Sequence, residues 1–323
     1  MKKIVITGVA GFIGSNLCER ILKDPDIQVI GIDNLSYGRP ENLSRFIDNS
    51  NFQFYNVDIT DLSQFPDLRD CSTLFHFAAK KIPRYGGVQD VLKTNLISSI
   101  NLFDHFVKFG TNIIFASTAD IYGKNIDLPF KESSDSVFGS TDVPRWTYAS
   151  SKFVCEQYLS DMCKTNDIDA TALRFFGGYG PHMGPDWQAG PIPVMYKNSK
   201  EQKALPIHGT GLQTRSFTYV QDYVDFVIRT FEKNQKGFHS YNVGNNQEIT
   251  IIELANKIWD IVNPGIEVNI EKIPYESFGK YEDVKRRIPD LSKSINEIGV
   301  KSKVGIDEGL ALTISWLDSI YER

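Results

Sequence analysis

Cysteine is scarce in this chain and never closely paired: Cys18, Cys71, Cys155 and Cys163 are scattered, with no CxxC among them. That spacing argues against a zinc ribbon and against a disulfide framework, and it fits a reducing compartment. No metal site is expected. Long hydrophobic runs are missing too: nothing approaches the ~18 residues of a membrane span, and the apolar run after Met1-Lys2-Lys3 is too short for a secretion signal. The expectation is a cytoplasmic protein with no membrane partner. Positive charge is in deficit, 35 Lys and Arg against 40 Asp and Glu, for a formal charge of −5. Without a net basic field, nucleic acid is not expected as a partner. Internal repeats and low-complexity segments are also absent.

What is present is ordinary globular composition, 41% hydrophobic and 23% charged over 323 residues, enough for a sizeable core. Apolar runs at 4–6, 29–32, 52–57, 73–77, 113–117 and 170–175 alternate with helical patterns at 13–23, 95–109 and 148–164. Strands alternating with helices predict an α/β fold, a Rossmann doubly wound parallel sheet. After Phe176 glycine and proline crowd the chain and the rhythm lapses. This divides a dinucleotide-binding domain at 1–175 from a smaller α/β substrate-binding domain at 176–323, with 211–245 expected to return to the main sheet.

Three local patterns carry chemistry. Thr7-Gly8-Val9-Ala10-Gly11-Phe12-Ile13-Gly14 spaces glycines as GxxGxxG between strand and helix. Such glycines permit a tight turn, close approach of backbone to a pyrophosphate, and packing of the helix on the sheet. Asp33, about twenty residues on at the end of the next strand, is placed to accept both ribose hydroxyls of NAD and to repel the 2′-phosphate of NADP. Asp58-Ile59 stands at a third strand end, where it could fix the adenine. Tyr148 and Lys152, at i and i+4, share one helix face. A nearby lysine cation and an oxidised nicotinamide would favour the phenolate, making Tyr148 a general base. Ser117-Thr118, at the end of a strand, could hold a substrate hydroxyl or carbonyl beside it.

With these three patterns in order, the chain resembles the extended short-chain dehydrogenase/reductases, specifically the NAD-dependent sugar-nucleotide epimerase/dehydratase family, in the manner of its 4-epimerases. The resemblance extends through His76-Phe77-Ala78-Ala79, Asn95, Ser117 to Gly123, Arg174 to Pro181, Arg215 to Asp222, and Asp290 to Lys293. It implies NAD held by Gly8, Gly11, Phe12, Ile13, Gly14, Asp33, Asn34, Asp58, Ile59, Phe77, Ala78, Ala79, Lys81, Asn95, Ser117, Tyr148, Lys152 and Phe175. It implies catalysis by Tyr148, Lys152 and Thr118, with Asp120 as an added acid or base. The sugar nucleotide would meet Thr118, Gly177, Arg84, Arg215 and one of Arg286 and Arg287, the arginines suiting a diphosphate by their forked, permanent charge. A homodimer is also implied.

Two departures bear on the reaction. Gly177 stands where many relatives carry a substrate-touching asparagine, and Ala119-Asp120 stands where 4,6-dehydratases carry Asp-Glu and decarboxylases a Glu in the second position. The expectation is epimerisation at C4 of a UDP-hexose, UDP-hexuronate or UDP-N-acetylhexosamine through a transient 4-keto sugar. The alternatives are 4,6-dehydration, or uronate decarboxylation through the same intermediate. From another class, a dinucleotide-binding regulatory protein without catalysis remains open.

Overall fold

The computed structural model describes residues 1–81, 87–186, 190–278 and 282–321. Its first half is built on β1 (Lys2–Thr7), β2 (Ile27–Asp33), β3 (Phe52–Asn56), β4 (Thr73–His76), β5 (Asn112–Thr118) and β6 (Ala170–Phe175). Around them lie α1 (Phe12–Ile21), α2 (Pro40–Leu43), α3 (Val88–Leu92), α4 (Ser98–Val107) and α5 (Arg145–Thr165). The second half adds β7 (Gly177–Tyr179), β8 (Leu205–His208), β9 (Thr214–Tyr219), β10 (Phe238–Val243), β11 (Glu248–Thr250) and β12 (Ile270–Ile273). Its helices are α6 (Pro191–Lys200), α7 (Val220–Lys233), α8 (Ile251–Val262), α9 (Ser292–Ile298) and α10 (Ile306–Tyr321).

Seven strands pair in parallel in the order β3-β2-β1-β4-β5-β6-β10. The strands are near-continuous apolar runs because both faces are covered, and successive side chains serve opposite layers. Ile4, Ile6, Phe75 and Leu173 pack under α1 and α7 with Leu17, Ile21, Val224 and Val227. Val5, Leu74, Phe115 and Ala172 pack under α4 and α5 with Leu102, Phe106, Cys155 and Leu159. Each fully buried Val, Leu, Ile or Phe among them contributes about 1.5–3 kcal/mol.

A third cluster, including Met195, Tyr196, Leu205, Ile207, Leu254, Ile258 and Leu310, forms the core of the smaller part. Here β11, β9 and β7 form a three-stranded sheet and β12 pairs with β8. Of the segment 211–245 expected to return to the main sheet, β10 does so along all six residues of β6, and α7 packs on α1. The strand β9 does not. The edge beside β6 is taken by β10, and Phe217 of β9 packs edge-on to Tyr179 in the third cluster. Among the described residues no helix is long and apolar enough to cross a membrane, and no group of His, Cys, Asp and Glu is arranged to hold a metal.

Candidate active site

A cavity of about 650 Å³ opens at the carboxyl ends of the main strands, where β1 lies between β2 and β4 and the winding of the chain changes direction. Gly8 turns the chain out of β1 with φ +75°, and a Cβ there would stand 2.7 Å from the amide nitrogen of Ala78. Only glycine suits both conditions. A Cβ on Gly14 would collide with the Gly8 carbonyl, so the start of α1 is pressed onto the turn. No side chain caps α1, whose N-cap is Gly11. Its first N–H groups, with the positive end of the helix dipole, are left for an anion.

Asp33 ends β2 as a buried carboxylate. One oxygen accepts from the Ala10 amide at 3.0 Å and the other from Leu35 at 2.9 Å. Burial raises its pKa and these two bonds oppose the rise. Asn34 donates to Asp58 at 2.6 Å, and Thr60 donates its amide to the other oxygen at 2.8 Å. Burial pushes the Asp58 pKa up, but these bonds outweigh it and the net shift is downward. Asp33, Asn34, Asp58 and Ile59 all line the cavity, as do Gly8, Gly11, Phe12, Ile13, Gly14, Phe77, Ala78, Ala79, Lys81 and Phe175.

The expected catalytic side chains meet at the opposite end. Helix α5 buries Trp146, Ala149, Lys152, Cys155, Glu156, Leu159 and Met162. That three-to-four-residue spacing aims Tyr148 and Lys152 along the cavity wall. Thr118, the last residue of β5, is near enough to Tyr148 to lower its pKa and accepts the Asp120 amide at 3.1 Å. Burial raises the Tyr148 pKa and the Asp120 charge raises it further, while Thr118 and Arg287 oppose. The expected help from Lys152 does not appear. Its ammonium lies 4.4 Å from the centroid of the Phe115 ring and has no hydrogen-bond partner. Burial lowers its pKa to about 8 against the pull of Cys155 and Glu156.

Asp120 is an ion-pair centre. Its Oδ1 lies 2.7 Å from Arg287 Nη2 and 3.3 Å from Arg145 Nη2. Burial pushes its pKa up, yet Arg287, Arg145, Lys81 and Arg215 overcome this and hold it at about 2. Asp120 is therefore ionised across the physiological range. Thr118, Asp120, Gly177 and Arg287 line the cavity, whereas Arg215 and Arg286 do not. Arg215 lies 2.8 Å from Asp283, and Arg286 is exposed and pairs with Glu248.

Two other expected residues also make contacts within the protein. Asn95 sits in a π turn between α3 and α4 (Lys93–Ile97) and holds the Lys80 backbone through both its amide and its carbonyl. It shapes the cavity rim without lining it. Ser117 lines the cavity, but its hydroxyl donates to buried Glu156, which Arg174 also pairs at 2.7 Å. Arg84 lies outside the described residues. Sequence reasoning missed Arg145 and Asp283, and the loop Ser36 to Arg39 that extends the cavity past Asp33. The position of Arg145, three before Tyr148, was the only local signal.

NAD fits these residues. The side-chain-free glycine cradle, the uncapped start of α1 and the buried Lys152 ammonium are together what a dinucleotide completes. A family model described as the NAD dependent epimerase/dehydratase family matches residues 4–244. UDP-glucuronic acid decarboxylase 3 of Arabidopsis thaliana is 32% identical over 314 residues, covering 96% of this chain and 87% of its own. A crystal structure of UDP-glucose 4-epimerase from Thermotoga maritima with UDP-glucose superposes with a TM-score of 0.87 at 28% identity, covering 99% of both chains. UDP-glucuronic acid 4-epimerase from Bacillus cereus, in complex with UDP-glucuronic acid and NAD, does so with a TM-score of 0.87 at 26% identity, covering 99% of this chain and 100% of its own.

Proposed function

The chain belongs to the NAD-dependent epimerase/dehydratase family with NAD as its cofactor, and from that premise we propose that it inverts C4 of a UDP-linked hexose, hexuronate or N-acetylhexosamine. Bound NAD supplies the reversible two-electron oxidation. Tyr148 takes the proton of the C4 hydroxyl and later returns it, with Thr118 holding the same oxygen. Lys152 offers its unpaired ammonium to the cofactor ribose. Arg287 holds the anionic part of the nucleotide sugar while the 4-keto sugar turns over.

The observation that carries this reading is the condition of Asp120. Loss of water across C5 and C6 calls for an acid and a base beyond Tyr148. A carboxylate held near pKa 2 between two arginines is a poor acid and a weak base. Removing and returning the C4 proton asks no proton transfer of it.

Decarboxylation of a hexuronate is the second reading. Lys81, Arg145, Arg215 and Arg287 all act on Asp120, and the three arginines also act on Asp283, so this side of the cavity is rich in positive charge. The Arabidopsis relative is a decarboxylase by name. A 4-keto uronate is a β-keto acid, so it can lose carbon dioxide without a further acid.

The test is NMR of the sugar carbons after incubating the protein with NAD and a panel of UDP-, GDP-, CDP- and dTDP-sugars. A C4-inverted UDP-sugar in equilibrium with its starting material, without net cofactor reduction, is the expected result. A pentose and carbon dioxide would establish the second reading. A 4-keto-6-deoxy sugar would overturn the argument from Asp120, and no product from any sugar would favour a regulatory protein.

A further inference from the structure

Arg145 opens α5 one helical turn before Tyr148 and is not among the residues that line the cavity. Its guanidinium lies over the Trp146 ring, 5.3 Å from the centroid, and the side chain is 13% exposed. Nη2 lies 3.3 Å from Asp120 at the end of β5. Nη1 donates to the Glu282 carbonyl at 2.7 Å and lies 3.3 Å from Asp283 Oδ1. Asp283 in turn accepts from Arg215 at 2.8 Å, from its neighbour Val284 and, on its other oxygen, from Tyr275. One guanidinium thus joins the strand end beside Tyr148 to the chain segment that carries Arg287.

We propose that Arg145 is a positioning residue, which fixes the spacing between Tyr148 and Arg287 by clipping segment 282–287 to the first turn of α5 and to Asp120. A fork is required: three acceptors in different directions are met by one planar group, and a lysine ammonium reaches fewer of them. The helix itself has little need of arginine at this point, since Trp146 fills the adjoining core. The consequence for binding rests on the reading that the Arg287 side of the cavity takes a nucleotide sugar. The clip itself does not.

The test compares Arg145→Met and Arg145→Lys with the unaltered protein, by amide hydrogen exchange and UDP calorimetry in the NAD-loaded state, and by NAD calorimetry after the cofactor has been removed. Exchange across residues 282–290 should quicken by about tenfold in Arg145→Met and less in Arg145→Lys, with residues 8–14 unchanged. UDP affinity should fall by about tenfold in Arg145→Met and be partly rescued in Arg145→Lys, with NAD affinity unchanged. Should Arg145→Met fail to fold, Arg145→Lys alone should show the local loosening. Unchanged exchange at 282–290, or loosening spread evenly over the molecule, would overturn the proposal, as would equal losses of UDP and NAD affinity. If the unaltered protein binds no UDP, the nucleotide reading falls, and the exchange comparison still decides the role of Arg145.

Discussion

Replacing Lys152 by methionine is expected to stabilise the cofactor-free protein near neutral pH while weakening its hold on NAD. The lysine is 1% exposed and its ammonium has no hydrogen-bond partner. Burial draws its pKa from 10.5 down to about 8. At about 1.4 kcal/mol per pKa unit, the folded state carries about 3 kcal/mol of penalty when the lysine is charged. Between the two values the unfolded chain binds more protons than the folded one, so stability rises with pH through that window. The penalty is fully present below it. Methionine removes the charge, imperfect packing returns up to about 1 kcal/mol, and the net gain is about 2 kcal/mol around pH 7. Urea unfolding of parent and variant, around pH 7 and again around pH 9.5, measures this difference with other titrating groups cancelled. The advantage should shrink as pH rises. Saturating NAD should reverse it, because ligand stabilises the protein that binds it more tightly. Coincident curves around pH 7, or a gap indifferent to pH, would refute the claim that this ammonium is stranded.

Tyr148→Phe should keep the fold and NAD affinity while lowering initial turnover, followed by NMR, by about a thousandfold; near-parental turnover would remove Tyr148 from catalysis. Asp33→Ala should weaken NAD by about tenfold and narrow the preference over NADP, both read by calorimetry; unchanged preference would mean that Asp33 only closes its own turn. Asp120→Asn removes a charge that raises the Tyr148 pKa. The rising limb of the rate profile should therefore move to lower pH, and an unmoved limb would show that Asp120 does not act on the phenol.

The cofactor half of the site was legible because its signals are short-range. GxxGxxG, a strand-end aspartate and a Tyr/Lys pair one helical turn apart each fit within one βα unit, and backbone geometry carries them to the cavity. The substrate half depends on segment 282–287, which has no helical or strand periodicity and is placed by ion pairs. Arg286 and Arg287 could not be told apart in sequence. As neighbours they point to different sides, and their side chains are 56% and 16% exposed. The misplaced β9 has a similar cause. An apolar run suits any sheet buried on one side or both, and only β10, later in the chain, decides which strand takes the edge beside β6. Asn95 was named for a family reason, and its side chain holds the Lys80 backbone, a contact that spacing alone does not encode.

The two halves manage charge in opposite ways, and each way follows from its task. The cofactor half holds one buried ammonium without a hydrogen-bond partner and leaves the N–H groups of a helix start uncapped, groups that a bound dinucleotide can satisfy. The substrate half holds its arginines against Asp120 and Asp283 before any ligand arrives. Their orientations are fixed, and little reorganisation is left for the moment of reaction. Asp120 stands where these designs meet. It steadies Arg287, and its charge adds to burial in raising the pKa of Tyr148, so one residue acts on both the arginines and the phenol. Replacing it should loosen the first arrangement and relax the second, which is why Asp120→Asn is expected to move the pH profile and not merely lower the rate.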